Sequence, residues 1–565
     1  MTIPAFRSLQ GYDRRWLRGD IVAGLTVWAV LVPEALAYAT IAGVSPVIGL
    51  YAAPGALLLY AAFGSSRHLV TGPMAATAAL SAAAVGDLVA RDGPEFVQLT
   101  VTLGLVVGFM ALVAGLLRLG FVANFISEPV LKGFIIGLAL TIIAGQLPKL
   151  FGIPKNEGDF FEELWDLFTR LDETSLITLV VGLASLAVVI GLKEVAPVVP
   201  GSLVAVLGGI VAVSLFDLDT RGVAIVGPIE SGLPSFGLPD VAIDAYLKVA
   251  PAAVGVMLVG FAEGLGAAKA YASRTHDTVD SNRELIGLGA ANLGAGLSSG
   301  MVVNGSLSKT AVNYGAGARS QLSGLIVAVL TVITLLFLTG LFEELPEATL
   351  AAVVIAALVE LVAVRDLVRL YRLHTRGLGR IYGIAARPDF IAAVAALFGV
   401  LLFDTLPGLF IGIIVSFILL LYRTSRPNVA VLGRVPGAAP QYADVARDPD
   451  NTPVPGIAIL RPESGLFFAN ADAVRDHIRR AAAEPGTRAI VLDAASMPFI
   501  DITAATMLSD VADDLARDGI RFVMARDIGQ VRDLLSVDRD AATLPAYATV
   551  REAVDALAAE DADPG

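Results

Sequence analysis

The stretch SNRELIGLGAANLGAGLSSGMVVNGSLSKTAVNYGAGARSQLSG, Ser281–Gly324, decides the reading of this chain. It reads as an apolar helix that stops at Gly300, a short β-like segment over Met301–Asn304, and a second helix that opens at Gly305-Ser306 with Lys309 in its first turns. Long hydrophobic runs flank it on both sides, so the break lies inside a membrane protein. A helix that begins at membrane depth aims unpaired N–H groups and a positive dipole end into the protein interior. With a lysine beside it, such an end attracts an anion. Interrupted membrane helices of this kind form the binding centres of secondary transporters.

Composition agrees. Hydrophobic residues make up 56% of the chain and charged residues 16%, and the mean hydropathy is +0.73. About 20 apolar residues span a bilayer as a helix. Apolar runs of that order recur as far as about residue 423. They predict membrane segments near 21–42, 46–63, 71–87, 98–118, 125–148, 174–193, 200–217, 246–272, 283–299, 305–315, 321–340, 347–363, 388–404 and 408–423. The pattern also admits thirteen or fifteen. The first run is too long for a signal-peptide core and lacks a cleavage site. The chain has no cysteine, so disulfides and thiolate metal sites are excluded, and its four histidines are scattered. A net charge of −13, much of it C-terminal, argues against nucleic-acid partners. No nucleophile–base set and no cofactor motif points to an enzyme.

Charge sets the orientation. Arg7, Arg14, Arg15 and Arg18 precede the first span and place the N-terminus in the cytoplasm. The loop carrying Arg365, Arg369, Arg372, Arg376, Arg380 and Arg387 follows the twelfth segment, so an even count brings it to the same side. The acidic stretch Glu157–Glu173 follows the fifth segment and falls outside. Within it, DFFEELWDLFTR (159–170) reads as an interfacial helix anchored by Trp165. Fourteen segments put both termini in the cytoplasm.

A second break, Thr71-Gly72-Pro73-Met74, opens the short helix AATAALSAAA. It is third among the first seven segments, as the Gly305 break is third among the second seven. The first and eighth segments also rhyme: VPEALAYA (32–39) against FAEGLGAAKAYA (261–272), each with a glutamate, Glu34 or Glu263, deep in an apolar run. Seven plus seven segments of opposite orientation imply an inverted repeat with the site where the two broken helices meet. Ionisable groups at such depth are functional candidates, with a structural hydrogen-bonded role as the alternative. Lys309 lies only four residues past Gly305, which favours the anion field over snorkelling to the membrane surface. The glycines at 287, 289, 294 and 296 read as sites of close helix packing.

After Arg426 the character changes. Residues 1–426 read as the membrane transport domain, 427–453 as a polar linker containing Pro and Gly, and 454–565 as a small cytoplasmic α/β domain. The last has strands at GIAILR, AIVLDA and RFVMAR, and helices near 470–483, 502–517 and 550–559.

Three separate motifs resemble the sulfate permease (SulP) family, also called solute carrier family 26. They are RGDIVAGLTVWAVLVPEALAYATIAGVSPVIGLY (18–51), the pair NRELIGLGAANL and GSLSKTAVNYGAGARSQLSG (282–324), and AIVLDAASMPFIDITAATML (489–508). The last is similar to the core of a STAS domain, the module shared with anti-sigma-factor antagonists. The resemblance implies a fold of uracil-permease type. A core of segments 1–4 and 8–11 moves against a gate of segments 5–7 and 12–14, usually in a homodimer. It implies an anion site formed by Ala75, Ala76 and Thr77 on one side and Gly305, Ser306, Leu307, Ser308 and Lys309 on the other. Glu34 and Tyr38 of the first segment face that site. Lys309 stands where many members have arginine, which loses the bidentate fork suited to oxyanions. Pro33 matches the family proline, and Glu34 stands where many members have glutamine. Glu263 matches the carboxylate of proton-coupled members. Sodium-coupled bicarbonate members carry an aspartate there and a threonine one turn later, where this chain has Ala267, so an oxygen ligand for sodium is missing. Thr503 falls near the position phosphorylated in STAS signalling relatives, although an ordinary helix N-cap at Asp501 accounts for the same residues.

The expectation is a proton-coupled symporter of a small oxyanion such as sulfate, bicarbonate or a dicarboxylate. It works without a cofactor or metal, in a bacterial plasma membrane. A carboxyl buried in low dielectric favours its neutral form, so a proton can travel on Glu263 with the anion. An uncoupled channel or exchanger, and an anion sensor signalling through the STAS domain, are the competing readings.

Overall fold

The computed structural model describes residues 5–90, 93–121, 127–154, 158–196, 199–229, 231–359, 361–372, 387–403, 405–437, 441–537 and 544–560. Arg376, Arg380 and Glu157, used above for orientation, lie outside the described residues. The chain forms two compact units, one built from residues up to Arg372 with Asp389–Ser416, the other from Phe417 onward.

The first unit is helical. Its helices are α1 (Leu17–Ile41), α2 (Pro46–Phe63), α3 (Ala75–Gly86), α4 (Pro94–Leu116), α5 (Glu128–Phe151), α6 (Phe160–Thr169), α7 (Leu176–Val195), α8 (Gly201–Phe216), α9 (Ile243–Thr275), α10 (Ser281–Leu297), α11 (Leu307–Gly315), α12 (Leu322–Phe337), α13 (Glu347–Val359), α14 (Val364–Arg372) and α15 (Pro388–Phe403). A further helix, α16 (Thr405–Thr424), begins in it. Local chemistry sets many of the boundaries. Pro46 and Pro94 open α2 and α4, where a missing N–H costs nothing. Ser127 and Asp280 cap α5 and α10 by accepting backbone N–H bonds. Gly152 ends α5 in the left-handed region at φ 72°.

Among the described residues, eight helices are long and apolar enough to cross a membrane, and four shorter ones are apolar. α7 and α16 bury only 17% and 22% of their most apolar windows. Surface this apolar is stable against lipid and not against water. The stretch read as an interfacial helix forms α6, opened by a capping box between Asp159 and Glu162, with Trp165 73% exposed. The predicted segment 347–363 corresponds to α13 (Glu347–Val359), and the strongly amphipathic α14 follows.

α1–α4 and α9–α12 pack chiefly among themselves, and α5, α7, α8 and α13 do likewise. The glycines of α10 permit the first of these packings. A Cβ at Gly294 would stand 2.5 Å from the Gly55 carbonyl oxygen, and one at Gly289 2.6 Å from the Leu112 nitrogen. At such distances backbone meets backbone, which any side chain would prevent.

Two three-residue strands carry the centre of this unit: β1 (Val70–Gly72) and β2 (Asn304–Ser306). They pair antiparallel with Thr71 opposite Gly305, and each leads into a broken helix, α3 or α11. Repeats of opposite orientation require this antiparallel relation. The pairing also corrects the expected start of the second broken helix. Gly305 and Ser306 lie in the strand, and α11 begins at Leu307 with Ser306 as its cap. Non-helical backbone at membrane depth must find partners within the protein, and here the two breaks satisfy one another.

The second unit holds a six-stranded mixed sheet in the order β4-β3-β5-β6-β7-β8. The strands are β3 (Val429–Arg434), β4 (Tyr442–Asp444), β5 (Ile457–Pro462), β6 (Ala489–Asp493), β7 (Arg521–Ala525) and β8 (Ala546–Tyr547). β5 to β8 run parallel, whereas β3 is antiparallel to β4 and β5. α17 (Ala471–Ala482) and α18 (Ile502–Arg517) close the core on one face, with Ile478 and Leu508 packed around Leu492. On the other face α20 (Val550–Glu560) packs Val554 and Leu557 over Ile459 and Val491. A short α19 (Gly529–Val537) lies between α18 and α20 in the chain. β6 is buried along its whole length, as a central parallel strand must be.

One reading needs correction here. The stretch 427–453, read as a linker, supplies two strands of this sheet. Val429 turns into one core, and Ala430 and Leu432 into the other. VAVLGR is short and set among Pro and Gly, and its partner strand lies some thirty residues on. Nothing local marks it as a strand. Asp501 caps α18 by accepting from the Ala504 N–H at 2.8 Å, and Thr503 is exposed in the first turn.

Candidate functional site

α1 places Glu34 and Tyr38 one turn apart, hence on one face. Both are buried, at 8% and 6% exposure. Across from them α11 opens. Its cap, Ser306, accepts the Lys309 backbone N–H at 3.2 Å, and its hydroxyl lies 3.1 Å from that of Ser308. Thr310 fixes the direction of the helix. Its hydroxyl donates to the Ser306 carbonyl at 2.5 Å and accepts the Val70 N–H at 3.1 Å, joining α11 to β1.

Lys309 is 1% exposed, so it does not snorkel. Its Nζ sits 2.5 Å from Glu34 Oε2, donates to the Pro73 carbonyl at 3.3 Å, and lies 5.1 Å from the centre of the Tyr38 ring. One ammonium thereby joins α1, the turn into α3 and the first turn of α11. On the α3 side, Ala75, Ala76 and Thr77 are buried, and the Thr77 hydroxyl turns back to the Met74 carbonyl at 3.3 Å. Leu307, at 54%, and Ser308 are exposed.

Glu263 comes from α9. Its Oε2 accepts from Asn304 Nδ2 at 3.2 Å, and Asn304 Oδ1 accepts the Gly305 N–H at 2.7 Å. Gly260 and Gly264 leave room for this amide. A Cβ at Gly264 would stand 3.0 Å from Asn304 Oδ1. The segment before the strand is pinned by Asn292, which donates to the Val303 carbonyl and accepts the Val303 N–H, both at 3.0 Å; the β-like segment expected over Met301–Asn304 thus forms a strand only from Asn304 onward.

The structure thus unites Glu34, Tyr38, Lys309 and the entry to α3, and ties Glu263 to the start of α11 through Asn304. Sequence reasoning did not single out Asn304, Asn292 or the Pro73 carbonyl. The two asparagines carried a usable signal, a polar side chain in an apolar membrane run. The Pro73 carbonyl carried none. The pairing of Lys309 with Glu34 was also not foreseen. It changes the electrostatics, because the lysine charge is already balanced before an anion arrives. With Glu263 and Glu34 both ionised, the three side chains carry one positive and two negative charges, so a proton on either carboxyl favours an incoming anion.

Two family models match the chain, the sulfate permease family over residues 17–384 and the STAS domain over 448–553. The chain belongs to the sulfate permease family. It is a multi-pass membrane transporter of small anions with a C-terminal STAS domain, and not an enzyme. A probable sulfate transporter of Mycobacterium tuberculosis is 38% identical over 537 residues, covering 94% of this chain and 93% of its own length. High affinity sulfate transporter 1 of Stylosanthes hamata is 28% identical over 540 residues, 91% of this chain and 79% of its own. The fold matches that of the murine solute carrier 26 family member A9 anion transporter in its inward-facing state. The TM-score is 0.87 at 22% identity, over 98% of this chain and 93% of that one. The transmembrane domain of a cyanobacterial bicarbonate transporter matches with a TM-score of 0.59 at 24% identity, over 71% of this chain and 98% of that one.

Proposed function

We propose that the protein is a proton-coupled symporter of an oxyanion, with sulfate as its substrate. The observation that carries this reading is the buried Lys309 ammonium, held between Glu34, Tyr38 and the Pro73 carbonyl at the mouth of a broken helix. The names of the relatives support sulfate. The anion binds between the N-termini of α3 and α11, on Ala75, Ala76, Thr77, Gly305, Ser306, Leu307, Ser308 and Lys309. Tyr38 forms the wall beside it. The backbone N–H groups and dipoles there favour negative charge. Glu263 carries the proton. Proton and anion bind together because each lowers the electrostatic cost of the other.

The ion pair gives Glu34 a part as well. An anion competes with this carboxylate for Lys309, so neutralising Glu34 frees the ammonium for substrate. The loaded core, α1–α4 and α9–α12, then moves past α5, α7, α8, α13, α15 and α16 in an elevator-like step. Fourteen membrane segments in residues 1–426 leave both termini in the cytoplasm of a bacterial cell. The STAS domain spans 454–565 together with the strands at 429–434 and 442–444, and two chains pair as a homodimer. Purified protein in liposomes, tested with radiolabelled sulfate, bicarbonate, fumarate and chloride under an imposed pH gradient, decides the matter. Sulfate accumulation that follows the gradient is expected. Uptake of chloride alone, indifferent to the gradient, would replace this reading with an uncoupled one.

A further inference from the structure

Asn304 is 1% exposed and makes two bonds with a shared logic. Its Oδ1 takes the Gly305 N–H, one of the backbone donors that an anion at this helix entrance would use. Its Nδ2 donates to Glu263 Oε2. An ionised carboxylate only accepts, so it holds the amide with Nδ2 toward Glu263 and leaves Oδ1 for Gly305. We infer that Asn304 is the positioning residue that couples the proton to the anion: it occupies the Gly305 N–H while Glu263 is ionised and releases it when Glu263 takes up a proton. This rests on the assignment of Glu263 as the proton carrier.

The chemistry has one direction. A proton on Glu263 turns one oxygen into an O–H donor and removes the charge that strengthened the bond from Nδ2. Asn304 Oδ1 is the side-chain acceptor beside it. The terminal torsion of asparagine is broad and roughly two-fold, so the amide can turn over within its rotamer. Oδ1 then accepts from the acid. Nδ2 turns toward Gly305, where it cannot accept, and the Gly305 N–H is left for a new acceptor. Two N–H donors now flank the position of the anion. The bare backbone of α9 at Gly260 and Gly264 gives the amide its groove.

The elements packed against α9 include α3, α4, α10, α11 and β2. α3 and β2 carry no ionisable side chain. α4 has Glu95 in its first turn, and α10 has Arg283 and Glu284 in its own. Glu284 is held by Tyr60, Ser65 and Ser66, and Arg283 by the Phe63 and Gly64 carbonyls. α11 contributes Lys309, paired with Glu34, and Tyr314, packed on Tyr271. Asn304 is the group bonded to Glu263 itself.

The test compares the full-length protein with Glu263→Gln, Asn304→Leu and Asn304→Asp, measuring radiolabelled sulfate exchange in liposomes at equal internal and external pH. For one coupled proton, the wild-type KM for sulfate should rise several-fold, and by no more than about a hundredfold, between about pH 5.5 and 7.5. Glu263→Gln should flatten that profile. Asn304→Leu, close in shape but unable to hold the Gly305 N–H, should keep only the direct effect of the Glu263 charge, so that its KM rises clearly less than that of the wild type over the same range. Asn304→Asp, isosteric, places a second carboxyl on the same proton and should move the profile up by about one pH unit. A flat Glu263→Gln with a wild-type profile in Asn304→Leu overturns the inference and leaves Glu263 as carrier. If Asn304→Leu does not fold, an unmoved profile in Asn304→Asp overturns it equally. A flat wild type, or a wild-type profile in Glu263→Gln, overturns the underlying assignment instead.

Discussion

Replacing Glu34 by glutamine separates stability from affinity at this site. In the native protein the carboxylate lies 2.5 Å from Lys309 Nζ, with side-chain exposures of 11% and 1%. Stripping one partner from a buried pair costs about 3–5 kcal/mol when the other charge is left alone. Lys309 is not left alone, because it keeps the Pro73 carbonyl and the Tyr38 ring, and the glutamine oxygen still accepts. The loss should therefore be that of a charge-assisted bond, about 1.5–3 kcal/mol. Affinity moves the other way. Each negative charge of an anion about 6 Å from the Glu34 carboxylate, at an effective dielectric constant of about 20, is repelled by about 3 kcal/mol. Removing that repulsion allows about a hundredfold tighter binding per unit charge, and sulfate carries two. The two effects meet in a melting experiment on purified protein in detergent. Without anion, Glu34→Gln should melt below the wild type. Sulfate at about 100 times its Kd stabilises by about 2.7 kcal/mol and should close most of the gap. Calorimetry should show sulfate bound at least about tenfold more tightly than by the wild type. A variant that binds sulfate no more tightly, and whose melting ignores it, would show that Glu34 does not compete with the anion for Lys309.

Other perturbations follow from the same geometry. Lys309→Ala should weaken sulfate binding by about 1–3 kcal/mol and also destabilise the protein, because Glu34 loses its partner. Adding Glu34→Gln to it should restore much of the melting temperature and, by removing the same repulsion, part of the affinity, and an additive double-mutant cycle in stability would refute the pairing. Gly305→Ala puts a Cβ 2.8 Å from Leu69 Cδ2 and 3.0 Å from the Gly264 Cα. Overpacking of this kind costs about 1–3 kcal/mol, visible as a lowered melting temperature, and an unchanged melt would contradict the packing described. A fragment of residues 427–565 should be monodisperse by size-exclusion chromatography. A fragment of 454–565 lacks β3, bares the edge of β5 and should aggregate. Cutting the chain after Arg426 should leave sulfate binding intact, and a folded truncate that binds none would place part of the site in the STAS domain.

How much of this was legible in the chain depends on the range of the interaction concerned. Long apolar runs announced the long helices, because burial in lipid acts on composition over about twenty residues, whereas the short α3 and α11 were placed by the breaks that precede them. The two breaks were legible because Gly and Pro interrupt such runs locally, and their matching places betrayed the repeat. Asp501 was readable as a cap for the same local reason. Tertiary structure alone decided what the breaks do with their backbones. Val70–Gly72 pairs with Asn304–Ser306 across more than two hundred residues, and this moved the start of α11 from Gly305 to Leu307. It likewise turned VAVLGR from linker into strand, since a strand exists only with its partner. The sequence showed that Glu34, Glu263 and Lys309 were costly charges at membrane depth. Whether such charges face an anion or one another depends on a few ångströms of side-chain placement, which no local pattern encodes. Only the packed structure set Lys309 on Glu34 and put Asn304 between Glu263 and the first backbone donor of the site.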